Sequence, residues 1–206
     1  MADRRVAVFG LVAVGLLATG CGRAPASETG GIRVGAVYPQ SGNQAEGTEE
    51  LNGVRLAARL VNQDGGVAGQ KVEVVSEDAP SADQAAAAVD RLLATGIRMV
   101  VGTYGSTQAL PASARASERG ATYLETGAVA DAVTSRGLPG ILRTVATGST
   151  LGRNAARWAH DFVIPGLGLK PGAERTVIMF EDDQYGSAVG YGAIDEAAAQ
   201  GLHVVD

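Results

Sequence analysis

A short turn, Tyr104-Gly105-Ser106, is the part of the sequence best suited to hold a small molecule. It follows an apolar run, residues 99–101, which predicts a buried strand. A helical pattern over residues 108–118 comes after it. Pro111 lacks an amide proton, so this helix must begin within about one turn before it. The turn is therefore expected where the carboxyl end of a strand meets the start of a helix.

The start of that helix can bind an anion, because its first N–H groups lack partners within the helix and carry a partial positive charge. A carboxylate is a natural ligand there, and the Ser106 hydroxyl adds one donor or acceptor. We expect Ser106 or Thr107 to be the N-cap residue of the helix. A simpler alternative remains open, in which Ser106 only caps its own helix.

The sequence lacks the motifs of common enzymes and nucleotide-binding proteins. Residues 42–48 contain two glycines at the spacing of a phosphate-binding loop but no lysine, and no serine lies in a nucleophile elbow. His160 and His203 are far apart in the sequence, so neither a metal cluster nor a catalytic triad is predicted. Glu181-Asp182-Asp183 could bind a hard cation, although we favour a solvated loop. We predict no catalytic residues, no metal ligands and no cofactor.

The composition limits the class of protein and its partners. The 206 residues are 46% hydrophobic and 19% charged, and the formal net charge is −5. This is a globular composition, with enough length for one large domain or two small ones. The sequence has no basic block and no alternation of basic and aromatic residues, so nucleic acid is not expected as a partner.

The amino-terminal residues have the composition of a secretory signal. Arg4 and Arg5 precede an uncharged stretch that ends in small residues before Cys21, and this stretch is too short for a membrane span. Its end resembles a bacterial lipobox, with Ala18 where leucine is more usual. We therefore predict a lipoprotein signal peptide over residues 1–20, lipidation of Cys21 and a tether over residues 21–31. The alternative is an ordinary signal peptide in which the cysteine is incidental.

Strands and helices alternate along the chain, which predicts right-handed βαβ units and a parallel sheet. Strands are expected at residues 32–37, 72–75, 99–101, 121–124, 141–143, 175–180 and 202–205. Further helices are expected around residues 51–61, 81–93, 149–162 and 186–200. Ligands of such sheets bind beyond the carboxyl ends of the strands. The candidate site therefore comprises the loops at residues 38–42, 78–82, 102–107, 125–129 and 181–186.

An ordered set of short segments extends over residues 32–186. Its members are Ile32-Arg-Val-Gly-Ala-Val-Tyr-Pro-Gln-Ser-Gly42, Asn52-Gly53, Gly65-Gly66-Val67-Ala68-Gly69, residues 75–78, residues 101–111, Ile141-Leu-Arg-Thr144 and Asp183-Gln-Tyr-Gly186. In this order, and behind a lipobox, they resemble the type I periplasmic substrate-binding proteins of ABC importers, in particular the branched-chain amino-acid and amide-binding group.

The resemblance implies an α/β fold made of two Rossmann-like, parallel-sheet lobes that close on a ligand like a clamshell. Residues 32–147 would form the first ligand-binding lobe, and residues 148–206 would begin a second lobe that is incomplete. The chain is then expected to be a truncated product. We expect it to bind ligand weakly or not at all by itself, because a partial lobe leaves apolar surface uncovered.

The resemblance also implies ligand-binding residues. Two loops would contact the ligand in the first lobe, and one aromatic residue would cover it from the second; these are Tyr104, Gly105 and Ser106, then Gly127, Ala128 and Val129, and finally Tyr185. Val129 stands where the family usually has a threonine, unless Thr126 substitutes through a small shift. The family's acidic partner for a ligand ammonium group would fall beyond residue 206.

By this resemblance the protein is expected to be an extracytoplasmic, lipid-anchored solute-binding protein and not an enzyme. It would deliver a small polar solute, such as an amino acid, an amide or a related organic acid, to an ABC permease. One alternative is a ligand-sensing receptor or regulator domain of the same fold. A second alternative, a nucleotide-dependent enzyme on a doubly wound sheet, is disfavoured by the missing phosphate-binding motifs.

Overall fold

A computed structural model of the protein describes residues 30–41 and 45–205. The predictions for the signal peptide, for Cys21 and for the tether up to residue 29 lie outside the described residues, as does Gly42. The described residues contain a five-stranded parallel sheet with the strand order β2-β1-β3-β4-β5, which confirms the predicted α/β class. The strands are β1 (Ile32–Tyr38), β2 (Val72–Asp78), β3 (Met99–Gly102), β4 (Thr122–Glu125) and β5 (Ile141–Arg143).

Helices connect these strands and continue beyond the sheet. They are α1 (Ala45–Gln63), α2 (Ala82–Ala94), α3 (Ser106–Glu118), α4 (Ala132–Ser135), α5 (Gly148–Trp158), α6 (Ile164–Gly166) and α7 (Gln184–Ala199), with a π-helical turn (Ala159–Val163) between α5 and α6. In the described part of the chain, none of these helices combines the length and the apolar character that a bilayer crossing requires.

Both faces of the sheet are covered, as the near-continuous apolar strands of a parallel sheet require. Alternate residues of β1 point to opposite faces. Val37 packs in a core with residues of α2 and α3, whereas Ala36 and Tyr38 pack in a second core against Leu51 of α1. Helices thus cover both faces of the sheet, and the loops at its carboxyl edge remain free to form a site.

Four strands extend further than the apolar pattern predicts. Tyr38 pairs with Asp78, Val37 with Gly102, and Glu125 with Arg143. Backbone pairing in a parallel ladder does not depend on side-chain polarity, so the polar residues at these ends remain in the strands. The extension is important for function, because it places charged side chains at the carboxyl edge.

Beyond residue 147 the predicted elements need correction. The expected strands at residues 175–180 and 202–205 are wrong, because the two segments share a single parallel bridge between Thr176 and Val204 and no longer ladder among the described residues. The expected helix over residues 149–162 begins at Gly148, and its regular part ends at Trp158. The chain then widens into a π-helical turn before Pro165, which cannot donate a helical hydrogen bond.

Helices α5 and α7 pack at very short range because glycines face each other. A Cβ atom on Gly152 would lie 1.9 Å from the carbonyl oxygen of Val189, and one on Gly192 would lie 2.5 Å from that of Ser149. Sequence reasoning treats the glycines of α7 as helix-weakening residues. In the structure they allow the two backbones to touch.

We predict that Gly152→Ala destabilises the protein by about 1–3 kcal/mol, because the added methyl group forces the two backbones apart. Gly53→Ala is the matched control, since a Cβ atom at this exposed position of α1 meets nothing within 4 Å. There the better helix propensity of alanine should give up to about 1 kcal/mol of stabilisation. Urea unfolding followed by circular dichroism measures both. Equal midpoints for the two variants would contradict the close packing.

Candidate functional site

A cavity of about 770 Å³ opens at the carboxyl edge of the sheet. Its walls come from α1, from the turn between β3 and α3, from the loop after β4 and from the segment before α7. The lining residues are Glu46, Tyr104, Gly105, Ser106, Thr107, Gln108, Gly127, Ala128, Glu181, Asp183 and Tyr185. The cavity thus brings together six of the seven predicted ligand-binding residues, and Val129 is the exception.

The serine-bearing turn differs from the prediction in its capping residue. Gly105 occupies the N-cap position with a φ of +87°, a conformation that favours glycine, and α3 begins at Ser106 itself. The prediction that Ser106 or Thr107 is the N-cap is therefore wrong. The Ser106 hydroxyl instead accepts a hydrogen bond of 3.0 Å from the backbone N–H of Ala130, on the neighbouring loop. The alternative in which Ser106 only caps its own helix is also wrong.

This arrangement leaves donors at the edge of the cavity. Ser106 is 2% exposed, and its hydroxyl hydrogen has no acceptor among the described residues. The first N–H groups of α3 have no acceptor within the helix, because an α-helix cannot satisfy its first turn. These groups can donate hydrogen bonds to a carboxylate or another polar acceptor in the cavity.

The loop after β4 is held from below by Arg143, the last residue of β5. Its guanidinium donates hydrogen bonds of 2.9 Å to the carbonyl oxygen of Ala128 and 2.7 Å to that of Ala130. The carbonyl oxygen of Val129 accepts a bond of 2.7 Å from the N–H of Gly148. All three carbonyl groups therefore already have donors within the protein.

Thr126 does not take the place of the family's threonine at the ligand. Its hydroxyl forms a hydrogen bond of 2.6 Å with the hydroxyl of Tyr38, whose side chain is fully buried. Val129 is only 9% exposed and does not line the cavity. Neither position thus presents a side-chain oxygen to the cavity.

Glu125, the last residue of β4, is a buried carboxyl group beneath this loop. It is 0% exposed and lies 3.4 Å from the guanidinium of Arg143, and one of its oxygens accepts a hydrogen bond from the N–H of Gly127. Burial raises its pKa from 4.5 to about 7, against the opposing effect of Arg143. Sequence reasoning placed Glu125 in a candidate loop but assigned it no partner, because the pairing of strand ends was not predicted.

Glu50 of α1 is a second acidic residue that sequence reasoning missed. A Cβ atom added to Gly127 would lie 2.0 Å from one carboxylate oxygen of Glu50, so the Glu50 side chain would have to shift if another residue stood there. The other oxygen, Oε2, is buried and has no hydrogen-bond partner among the described residues. Burial raises the pKa of Glu50. Its neighbours Glu46 and Glu49 are exposed, so the sequence gives little sign that this carboxylate turns inward.

Two tyrosines and the segment before α7 complete the cavity. Tyr185 is 49% exposed and Tyr104 is 37% exposed, and burial followed by the charges of Glu46 and Glu50 raises the pKa of Tyr104. Asp183 is the N-cap residue of α7 and accepts a bond of 2.6 Å from the N–H of Gly186. In the described ranges, no three His, Cys, Asp or Glu side chains are grouped so that they could hold a metal ion.

Comparison with known proteins assigns the sequence to a family. A family model described as "Periplasmic binding protein" matches residues 31–206. A protein of Brucella abortus (strain 2308), named Leu/Ile/Val-binding protein homolog 8, is 37% identical over 176 residues. The match covers 84% of this chain and 44% of the relative, so the chain spans less than half of that protein's length.

Solved structures have the same fold. An ABC transporter substrate-binding protein from Desulfitobacterium hafniense, solved in complex with Leu, superposes with a TM-score of 0.70 at 25% identity. That match covers 86% of this chain and 50% of the other. A solute-binding protein from Rhodopseudomonas palustris BisB5 superposes with a TM-score of 0.72 at 21% identity, covering 84% of this chain and 46% of the other.

The buried carboxyl group of Glu125 should make stability depend on pH. Because its pKa is higher in the folded state, its contribution to the free energy of unfolding is complete below about pH 4.5 and is lost as the pH rises through about 7. We predict that Glu125→Gln flattens this fall, since glutamine keeps an acceptor for Gly127 but does not ionise. Urea unfolding from about pH 5 to about pH 8 measures the slope. Exposed Glu49→Gln is the control, and a fall that persists in Glu125→Gln would exclude this role.

Proposed function

Because the chain belongs to the periplasmic binding protein family, we propose that it binds a small polar solute outside the cytoplasm and delivers it to an ABC permease. The solute class is an amino acid, an amide or a related organic acid. In this proposal the protein is not an enzyme, since its cavity holds the ligand without transforming it. Lipidation of Cys21 would anchor the protein to the membrane.

The observation that carries the proposal is the free hydroxyl hydrogen of Ser106, next to the unpaired N–H groups of α3, on the wall of a cavity. A carboxylate or an amide oxygen that enters the cavity can accept hydrogen bonds from these groups. Helix N-termini favour negative charge, and hydrogen bonds to an ionised acceptor are the stronger kind. The loop residues Gly127 and Ala128 lack bulky side chains, which lets a solute approach the backbone.

Tyr185 supports a role for the start of α7 in the same site. Its ring is half-exposed on the wall contributed by the first turn of α7 and the segment before it, while Ser106 lies on the wall contributed by α3. A solute that contacts both walls would favour the conformation in which they are close. Such a ligand shifts an open–closed equilibrium by its differential affinity for the two states.

Leucine is a rational first probe, because the Desulfitobacterium hafniense protein was solved in complex with Leu. We propose that the protein serves transport and not sensing, because its sequence has the signal-peptide and lipobox pattern. A membrane-spanning or kinase segment encoded downstream would favour sensing, whereas neighbouring permease and ATPase genes would favour transport.

We predict that a panel of amino acids, amides and small organic acids contains solutes that shift the backbone amide resonances of Gly105, Ser106 and Gly127. Two-dimensional ¹H–¹⁵N NMR titration of the chain suits this test, because it detects even millimolar binding. Saturable shifts confined to the cavity residues are the expected result. If no solute in the panel produces them and none binds to a full-length homologue, the proposed function is wrong.

Ser106→Ala should weaken binding by about 1–3 kcal/mol, because it removes a buried donor that faces the solute. Ser117→Ala, which removes the same hydroxyl near the opposite end of α3, is the matched control and should leave affinity unchanged. The same titration measures both variants. If Ser106→Ala and the unmodified chain bind with equal affinity, Ser106 does not bind the solute and only contacts the loop at Ala130.

A further inference from the structure

Residues 175–181, called the edge segment below, have the sequence of a strand but form only one bridge. The N–H of Thr176 donates and its C=O accepts a hydrogen bond, of 2.8 and 2.9 Å, both with residues 203–205. The backbone groups of Val177 and Met179 have no hydrogen-bond partner among the described residues. An unpaired strand edge of this kind is a template for pairing with another chain.

The two faces of the edge segment differ in their surroundings. Ile178 packs against a cluster that includes Leu202, and the ring of Phe180 lies edge to face with Tyr191 of α7, with the ring centroids 5.6 Å apart. Adjacent residues of an extended chain point to opposite faces. The odd-numbered side chains therefore share the other face, where Val177 is 59% and Met179 89% exposed.

The same alternation decides which edge of the segment is free. In an extended chain, the N–H and C=O groups of one residue point to one edge and those of the next residue to the other edge. Thr176 directs its groups to the edge beside residues 203–205. Val177 and Met179 therefore direct theirs to the opposite edge, where no backbone group in the described part of the chain meets them.

Charged residues of opposite sign stand at the two ends of the edge segment. Arg175 and Glu181 are exposed, and neither has an ion pair or hydrogen bond among the described residues. In an extended segment these two positions are about 20 Å apart, so they are too distant to pair within one chain. A second copy that runs in the opposite direction has the complementary order of charges.

We propose that the edge segments of two copies pair as antiparallel strands about a two-fold axis at Ile178. Val177 of one copy then lies opposite Met179 of the other, and both direct their backbone groups to the shared edge. Arg175 of one copy lies opposite Glu181 of the other, at two symmetric places. The contact is isologous, so it closes into a dimer and does not grow into a fibre.

The charges distinguish this register from its neighbours. Centring the pair on Val177 would set Arg175 opposite Met179. Centring it on Met179 would set Val177 opposite Glu181. A parallel pairing in register would set each charged residue beside its own copy, and like charges directly opposite are destabilising. The register centred on Ile178 is the one that matches apolar with apolar and basic with acidic side chains.

The dimer is expected to be weak and to depend on concentration. A single extended segment on each side is small compared with roughly 20–30 residues on each side of a standard interface. The inference goes beyond the proposed function and does not depend on it, because the pairing uses the segment's backbone edge and needs no solute. The solute titration and the tests below can therefore succeed or fail separately.

Sedimentation equilibrium of the chain, from about 10 μM to about 1 mM, tests the association. The average mass should rise from that of one chain towards that of two. Met179→Lys should raise the dissociation constant at least about tenfold, because a lysine on a strand edge opposes pairing. Leu167→Lys makes a similar change at an apolar side chain that is 70% exposed outside the edge segment, and it should leave the association unchanged. A chain that stays monomeric, or association that persists in Met179→Lys, would overturn the proposal.

Charge reversal tests the register. Arg175→Glu and Glu181→Arg should each weaken the dimer about tenfold, because each sets like charges opposite each other at two symmetric places. The double variant should restore the dissociation constant to within about threefold of that of the unmodified chain, since it exchanges the two charges. Circular dichroism confirms that each variant is folded. A double variant that dimerises no better than the single ones would overturn the antiparallel pairing.

Discussion

The buried pair of Glu125 and Arg143 is the interaction on which the candidate site depends. Each residue ends a strand, and the two strands are neighbours in the sheet, so the pairing of β4 with β5 sets their side chains 3.4 Å apart. Burying two charges is expensive, and the attraction between them offsets the cost only when further hydrogen bonds satisfy both groups. Here the carbonyl oxygens of the loop after β4 and the N–H of Gly127 supply part of those bonds, while Glu125 Oε2 and Arg143 Nε stay buried without a hydrogen-bond partner among the described residues.

The conformation of the loop after β4 is therefore fixed by hydrogen bonds to the side chains beneath it and not by regular secondary structure. Arg143 holds two of its carbonyls, Glu125 holds one N–H, and Ser106 accepts the N–H of Ala130. A rigid loop binds a ligand with less loss of conformational entropy than a flexible one. The same bonds use up most of the loop's polar groups, which leaves recognition to the helix start and to side chains outside the loop.

Much of the fold could be predicted from the sequence, because apolar runs and turn residues report the alternation of strands and helices. That pattern predicts the bounds of β5 and the order in which the five strands follow one another along the chain. The ends of β1, β2 and β4 do not, since their last residues are polar and remain in the ladder only through backbone pairing. The two expected strands near residues 176 and 204 have apolar sequences but only one bridge between them. Local pattern cannot report whether a partner strand is present.

In the candidate site, too, the sequence predicts the features that have local signals and misses those that depend on tertiary contacts. The turn around Ser106 was predicted from a strand, a proline and a helical pattern, all of them local signals. Its hydrogen bond to Ala130 could not be predicted, because the two residues are 24 positions apart and meet only through the packing of α3 beside the next loop. Glu50 was missed for a related reason: its carboxylate is buried by Gly127, a contact that depends on how α1 lies over the sheet.

The other wall of the cavity is tied to this loop by a short chain of contacts. The N–H of Gly148 donates to Val129, and the N–H and hydroxyl of Ser149 both donate to Asp131. These bonds fix the start of α5, and the facing glycines lock α5 against α7, whose first turn contains Tyr185. Close backbone contact resists sliding, so α5 and α7 must move together as one body. A motion that brings Tyr185 towards the start of α3 would therefore carry α5 with it.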